Sequence, residues 1–202
     1  MGEDLGSLKE TQREYLRMIY DANEEIISRI DELLTAVNIE EGTALVKKEN
    51  ISLDSIVLIS MKELEKRSKL KKVAFTYVPP VKPLPSIYGD ANKLRLVLHI
   101  LSENAVDYTG EGGSISASLA EKGGKVRFEI SDTGIGIPEV DQSKIFERFF
   151  RGSNAMLVET DAFGIGLTLA KYYAEKHSGS VGFQSKEGVG STFWFEIPIL
   201  SD

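Results

Sequence analysis

Residues 126–138 read Val-Arg-Phe-Glu-Ile-Ser-Asp-Thr-Gly-Ile-Gly-Ile-Pro, and this is the most informative stretch of the chain. Val126, Phe128 and Ile130 alternate with polar residues, which predicts a strand with one buried face. The strand runs into Asp132, and two glycines then follow one residue apart. Glycine lets the backbone approach a ligand or adopt positive φ, and a carboxylate beside such a turn is a fixed acceptor. By itself, this pattern fits a ligand-binding turn and an ordinary tight turn about equally well.

The composition is that of an acidic globular protein. The 202 residues include 24 Lys and Arg and 31 Asp and Glu, which gives a net charge of -7 and argues against nucleic acid or an anionic membrane as the main partner. Cysteine is absent from the sequence, so disulfides and thiolate chemistry are excluded. No apolar run approaches the roughly 18 residues that span a bilayer, and the first residues lack a signal-peptide pattern. We therefore expect a cytoplasmic segment without membrane contact, which is compatible with a membrane anchor elsewhere in a full-length protein.

The pattern along the chain predicts a long helix, a linker and a mixed domain. Residues 1–42 hold the helix, with a Ser7–Glu10 capping box at its start, an apolar stripe along it and Gly42 at its end. The stripe needs a partner, and a second copy of the chain is favoured over another helix of the same chain. Residues 43–50 are expected to be a linker and residues 51–202 an α+β domain, a two-layer α/β sandwich with helices on one face of a mixed sheet. Helices are predicted at 53–70, 91–108, 143–149 and 165–177, and strands at 51–53, 73–77, 114–120, 125–131, 181–185 and 192–197. Residues 86–90 are predicted to form a short strand or a turn.

Four short stretches carry candidate chemistry. Asn104 lies in the predicted 91–108 helix, and its amide oxygen is a suitable ligand for a hard cation such as Mg²⁺. The Asp132 turn is the second stretch. Residues 163–167 (Phe-Gly-Ile-Gly-Leu) open a helix whose first amides are available to bind phosphate. Residues 187–193 (Glu-Gly-Val-Gly-Ser-Thr-Phe) are by themselves only a hairpin signal, and none of the four matches a P-loop.

Taken in this order, the four stretches are far more specific than any one of them. Over roughly residues 50–198 the sequence resembles the catalytic, ATP-binding domain of bacterial sensor histidine kinases. These domains belong to the superfamily that includes gyrase, the mismatch-repair ATPase and a chaperone ATPase, and the resemblance implies their Bergerat-type fold. The preceding helix, ending in residues 33–42, resembles the second helix of that family's dimerisation hairpin.

The resemblance implies a role for each matched residue. Asp132 accepts a hydrogen bond from the adenine amino group, Tyr108 packs on adenine, and Thr192 lies beneath adenine near Asp132. Asn104 binds Mg²⁺, with Glu103 as a second candidate metal ligand. The remaining implied nucleotide contacts are Gly134, Gly136, Ile137, Arg151, Gly164, Gly166 and Leu167.

Residues 146–151 match the family's phenylalanine box, and residues 151–163 match the lid over the nucleotide. In this box Phe146 and Phe149 are expected in the core. Arg148 and Arg151 are candidates to face the phosphates of the nucleotide.

The sequence also departs from the family pattern. Ile100 stands where a first Asn is usual, Asp107 stands where a Lys or Arg usually faces the phosphates, and Ala162 and Phe163 replace the usual opening of the second glycine box. An acid at position 107 would repel triphosphate unless its side chain turns away. These departures motivate an alternative function, a degenerate regulatory or dimerisation module with weak or no nucleotide binding.

The two histidines bear on the phosphate acceptor. Neither His99 nor His177 has the sequence context of a phosphoacceptor, and both are expected to be structural. The resemblance therefore implies an ATP- and Mg²⁺-binding kinase domain that phosphorylates a histidine absent from this chain. Its implied partners are the acceptor-histidine helix, which lies outside this sequence or is lacking in the natural protein, and a response regulator. Hydrolysis of ATP is disfavoured, because Ile100 occupies the position where a general-base Glu would be expected.

Overall fold

The computed structural model describes residues 8–40, 44–158 and 162–200. The chain divides into two compact units, Met1–Ala44 and Leu45–Asp202. The first unit contains α1, Glu10–Glu40, which confirms the predicted long helix. Its predicted end signals, Ser7 and Gly42, lie outside the described residues. Within the described residues, no helix is both long enough and apolar enough to cross a bilayer.

The second unit is a five-stranded sheet with helices against it. The sheet order is β2-β4-β5-β7-β6, with β2 parallel to β4 and every other neighbouring pair antiparallel, while β1 and β3 form a separate antiparallel pair. The helices are α2 (Leu53–Leu70), α3 (Ala91–Asp107), α4 (Glu139–Gln142) and α5 (Gly166–Lys176), and a 3₁₀ turn covers Ala155–Leu157. The strands are β1 (Glu49–Ile51), β2 (Ala74–Val78), β3 (Ile87–Gly89), β4 (Ser114–Lys122), β5 (Lys125–Asp132), β6 (Ser180–Lys186) and β7 (Gly190–Pro198).

The core lies between one face of the sheet and the helices α2, α3 and α5. On β5 the alternating residues Val126, Phe128 and Ile130 are buried, as the period of two predicts. Phe128 packs on Phe195 of β7, with ring centroids 5.7 Å apart. Burying side chains of this size contributes roughly 1.5–3 kcal/mol each. The α+β class and the two-layer sandwich are therefore confirmed.

The opposite face of the sheet is polar. Arg127 stacks over the Trp194 ring at 4.3 Å and forms ion pairs with Glu129 and Glu196. Lys125 also pairs with Glu196. This charged surface explains why the helices cover only one side.

Two local predictions are wrong. Residues 143–149 are not a helix, because the helical turn α4 lies earlier, at Glu139–Gln142, directly after Pro138. Phe149 is 67% exposed and has a φ of 61°, so it is neither in the core nor able to continue a right-handed helix. Phe146 is half-buried and packs edge-on against Phe183. Residues 45–50, which the sequence assigns to the linker, are part of the second compact unit, and the Lys47 amide donates to Asp90.

Candidate functional site

The end of β5 presents a half-buried carboxylate whose two oxygens have different surroundings. Oδ1 of Asp132 accepts the Gly134 amide at 2.8 Å and the Ser191 amide at 3.3 Å. Among the described residues, Oδ2 has no hydrogen-bond partner. Burial raises the pKa of the Asp132 carboxyl, and the two amide hydrogen bonds oppose that rise. The side chain is thus fixed through one oxygen and offers the other as an acceptor.

The turn after Asp132 is held on several sides. The Ile135 amide donates to the Tyr108 carbonyl at the end of α3, and the Ile137 amide donates to Oγ of Ser185 on β6. A Cβ at Gly134 would collide with the Tyr108 carbonyl, so this close approach of α3 requires glycine. Gly136 has a φ of 63° and lies against the Lys186 backbone, so it needs glycine for both conformation and space.

The predicted position of Thr192 is wrong. In the β5–β7 register Asp132 pairs with Ser191, while Thr192 pairs with Ser131. The Thr192 and Ser131 hydroxyls are 2.8 Å apart, and side-chain alternation places both on the face opposite Asp132. Ser191 is therefore the hydroxyl residue beside the carboxylate, and its Oγ is 2.9 Å from that of Ser185.

The C-terminal half of α3 contributes Asn104 and Tyr108 to the same end of the domain. Asn104 is half-buried, and its side-chain amide makes no hydrogen bond among the described residues. Tyr108 is the C-cap residue of α3 and is half-buried.

Two acids on α3 face α2 instead. Glu103 pairs with Arg67 and lies 3.7 Å from Nδ1 of His99, so its carboxylate already has a cationic partner. Asp107 lies 3.5 Å from Arg67. The acid at position 107 is therefore paired with a cation of α2, which removes much of the expected repulsion of a triphosphate.

The second glycine box precedes α5. Gly164 has a φ of 69° and packs tightly against the backbone of residues 149 and 150. Gly166 begins α5 and lies over Ile100, where an added Cβ would be 3.2 Å from an Ile100 methyl group. Leu167 is half-buried in the first turn of α5. Ile100, which stands where the family usually has Asn, thus fills the space beneath Gly166 at the start of α5.

The described part of the lid segment (residues 151–163, except 159–161) begins at Arg151, which is half-buried. The side chain of Asn154 donates to the Gly136 carbonyl at 3.0 Å, and Ser153 donates its amide and hydroxyl to Asp141. Sequence reasoning missed these contacts and the role of Ser185, because each joins segments far apart in the chain.

One of the two histidines, His177, occupies a structural position, whereas His99 is exposed. His177 is buried, its Nε2 accepts the Asp90 amide at 2.9 Å, and its Nδ1 donates to the Tyr173 carbonyl at 2.6 Å. Burial lowers the pKa of the His177 imidazole. His99 is on α3 near Glu103, and burial together with Arg67 lowers its pKa.

Comparison with known proteins places this geometry in a family. A family model described as "Histidine kinase-, DNA gyrase B-, and HSP90-like ATPase" matches residues 89–201, more than half of the chain. The chain belongs to this ATPase family.

Individual relatives identify the branch as that of the histidine kinases. The circadian input-output histidine kinase CikA of Synechococcus elongatus is 31% identical over 194 residues, which cover 96% of this chain and 26% of that protein. The crystal structure of full-length ShkA in complex with AMPPNP matches with a TM-score of 0.76 at 26% identity, over 98% of this chain and 41% of that one. The catalytic domain of the histidine kinase ThkA matches with a TM-score of 0.63 at 25% identity, over 75% of this chain and 95% of that domain.

These matches establish a histidine-kinase ATP-binding catalytic domain and favour the kinase interpretation over a degenerate module. The chain spans only about a quarter of CikA and less than half of ShkA.

Proposed function

We propose that this chain binds ATP with Mg²⁺ and transfers the γ-phosphoryl group to a histidine on a helix outside this sequence. The observation that carries the proposal is the Asp132 carboxylate, with one oxygen fixed by two amides and the other without a hydrogen-bond partner in the described part of the chain. Such an acceptor suits the exocyclic amino group of adenine. The buried Ile100 disfavours hydrolysis, because the position expected for a general base holds no titratable group.

The other predicted contacts form one nucleotide site in this proposal. Tyr108 and the turn at Gly134, Gly136 and Ile137 would surround the base. Backbone amides from Gly164 to Leu167, at the start of α5, would bind phosphate oxygens with Arg151. Because catalysis of phosphoryl transfer depends mostly on positioning and charge stabilisation, these donors would orient the γ-phosphoryl group toward the incoming histidine.

The residues present fit a magnesium ion that is held mainly by phosphate and water. The part of the chain that the structure describes has no cluster of three His, Cys, Asp or Glu that could hold a metal. Asn104 offers an amide oxygen that accepts no hydrogen bond from the residues the structure describes, and Mg²⁺ bound with nucleotides commonly keeps few protein ligands. The ion would neutralise charge on the phosphates.

A fluorescent ATP analogue tests the adenine contact. Asp132→Asn keeps an oxygen that accepts the Gly134 and Ser191 amides but replaces the open acceptor with an NH₂ donor, which faces the adenine amino group. We expect affinity to fall about 5- to 150-fold, since a mismatched buried pair costs about 1–3 kcal/mol. Ser131→Ala, one residue earlier and on the opposite face, is the matched control and should bind normally. Equal affinity in wild type and Asp132→Asn, or no saturable binding at all, would contradict the proposal.

Phosphoryl transfer needs partners that are supplied separately. A separately made acceptor hairpin incubated with this chain, ATP and Mg²⁺ should gain acid-labile phosphohistidine, and a response regulator would be the next acceptor. Within a dimer, α1 would serve as the second helix of the dimerisation hairpin. The cytoplasmic location stays a prediction from the sequence.

A further inference from the structure

Most backbone hydrogen-bonding groups of the turn that follows Asp132 are bonded within the protein. The amides of Gly134, Ile135 and Ile137 donate to Asp132, Tyr108 and Ser185, respectively. The Ile135 carbonyl accepts the Gly188 amide at 2.8 Å, and the Ile137 carbonyl accepts Nε2 of Gln142 at 3.1 Å. This turn is thus tied to α3, α4 and the β6–β7 hairpin.

The Gly136 carbonyl differs from its neighbours, because its partner comes from the lid segment. Nδ2 of Asn154 donates to it at 3.0 Å and lies 3.5 Å from the Ile135 carbonyl. Among the described residues, no other donor reaches the Gly136 oxygen. Since Gly136 has a φ of 63°, its carbonyl orientation is set by a backbone conformation that few other residues would adopt. Asn154 therefore provides the hydrogen bond to a carbonyl of the turn that the contacts with α3, α4 and the β6–β7 hairpin leave unbonded among the described residues.

The residue before Asn154 is itself anchored. The amide and hydroxyl of Ser153 donate to Oδ2 of Asp141 at 2.8 and 2.9 Å. These hydrogen bonds lower the pKa of the Asp141 carboxyl, as expected when they stabilise its charged form. Asp141 lies in α4, whose Gln142 holds the other end of the same turn. The first residues of the lid segment and the turn thus share one hydrogen-bonded support.

We propose that Asn154 is a positioning residue for adenine recognition, which holds the turn after Asp132 through the Gly136 carbonyl and couples the start of the lid segment to it. The role of Asn154 is to keep the turn in one conformation, without contact to the phosphates. The nucleotide part of this inference rests on the proposed function, whereas the support of the turn does not. By linkage, order in the lid segment and order in the turn favour each other.

Hydrogen exchange on the nucleotide-free protein tests the support of the turn. Asn154→Ala should increase exchange at the amides of Gly134, Ile135 and Ile137 about fivefold, the factor that corresponds to one lost hydrogen bond. Asn154→Asp keeps the side-chain size but loses the donor, so it should do the same. Leu157→Ala, in the same segment and 86% exposed, is the matched control. Unchanged exchange in both Asn154 variants would overturn the inference.

Ligand titrations separate positioning from phosphate contact. Adenosine and ATP are titrated in parallel by NMR into wild type, Asn154→Ala and Leu157→Ala. A positioning role predicts that Asn154→Ala weakens both ligands by the same factor, about fivefold. Weakening of ATP alone would show a phosphate contact and overturn the inference, as would no change in either. If wild type binds neither ligand, the proposed function fails, and the exchange experiment still decides whether Asn154 holds the turn.

Discussion

At the scale of single residues, Asp107 shows how a departure from the family pattern is accommodated. The sequence suggests that restoring a basic residue here would improve nucleotide binding. In the structure the Asp107 carboxylate faces Arg67 of α2, 3.5 Å away. Asp107→Lys would bring two cations together and remove an ion pair. We expect it to lower stability by up to about 1 kcal/mol, since both side chains are partly exposed, and to give no gain in ATP affinity.

Thermal unfolding and the ATP-analogue titration measure the two parts of this prediction. Asp107→Asn is the control that removes the charge without adding a cation, and its loss of stability should be smaller. A Lys variant that is as stable as wild type and binds ATP markedly tighter would show that Asp107 impairs the native site.

His177 predicts a pH dependence of stability. Burial lowers its pKa in the folded state below the ordinary value of 6.5. The imidazole is neutral there because Nδ1–H donates to Tyr173 and Nε2 accepts the Asp90 amide. Below about pH 6.5 the unfolded chain therefore binds a proton that the folded chain does not, so this contribution to stability is complete above pH 6.5 and is lost as the pH falls.

Urea unfolding between pH 5 and 7.5 checks this sign. The change in the free energy of unfolding across this pH window should be smaller in His177→Gln. The Gln side chain can donate and accept hydrogen bonds as the neutral imidazole does, but it does not titrate. The pKa of His99 is also lowered, so His99→Gln measures how much His99 contributes to the pH dependence of stability. Stability that rises as the pH falls from 7 to 5 in wild type would contradict the assignment.

At the scale of elements, α2 supplies the cation that the C-terminus of α3 lacks. The last turn of α3 has no basic residue. Nζ of Lys71, just after α2, donates at 2.7 Å to the carbonyls of both Val106 and Asp107. Lys71→Met should destabilise the domain by about 1 kcal/mol, through loss of charge-assisted hydrogen bonds at the negative end of a helix.

Denaturant unfolding of Lys71→Met checks this cap. Lys69→Met is the matched control, since Lys69 only pairs with exposed Glu65 on its own helix and should cost a few tenths of a kcal/mol. Equal losses in the two variants would show that the carbonyl contacts contribute nothing. Because Tyr108 follows directly and its carbonyl holds the Asp132 turn, we also expect Lys71→Met to weaken ATP binding slightly.

The elements also show what the sequence can and cannot predict. Helix and strand periods are local, so α2 was predicted with its observed bounds and the buried face of β5 was predicted correctly. The register between two strands is not a local property, and a shift of one residue on β7 moves every side chain to the other face of the sheet. The sequence therefore predicted Thr192 beside Asp132, whereas the residue in that position is Ser191. The Asn154 contact with Gly136 joins side chain to backbone across 18 positions and leaves no pattern in either segment.

At the scale of the whole molecule, the two compact units predict separable functions. The apolar stripe of α1 includes Tyr15, Ile19, Ile26, Ile30 and Val37, each at least 47% exposed. Exposed apolar side chains at three- and four-residue spacing are typical of a helix that packs on a partner, and we propose a second copy of this chain. Ile26→Asp places a charge in the stripe and should shift the protein from dimer to monomer in light scattering or sedimentation.

Arg17→Gln is the matched control, because it makes the same change of one unit in net charge at an exposed position on the side of α1 opposite the stripe. It should leave the dimer intact. Since Asp132, Asn104 and the glycine boxes all belong to the second unit, Ile26→Asp should bind the ATP analogue with wild-type affinity while losing the dimer. Loss of both properties together would mean that the two units depend on each other, and a monomeric wild-type protein would contradict dimerisation through α1.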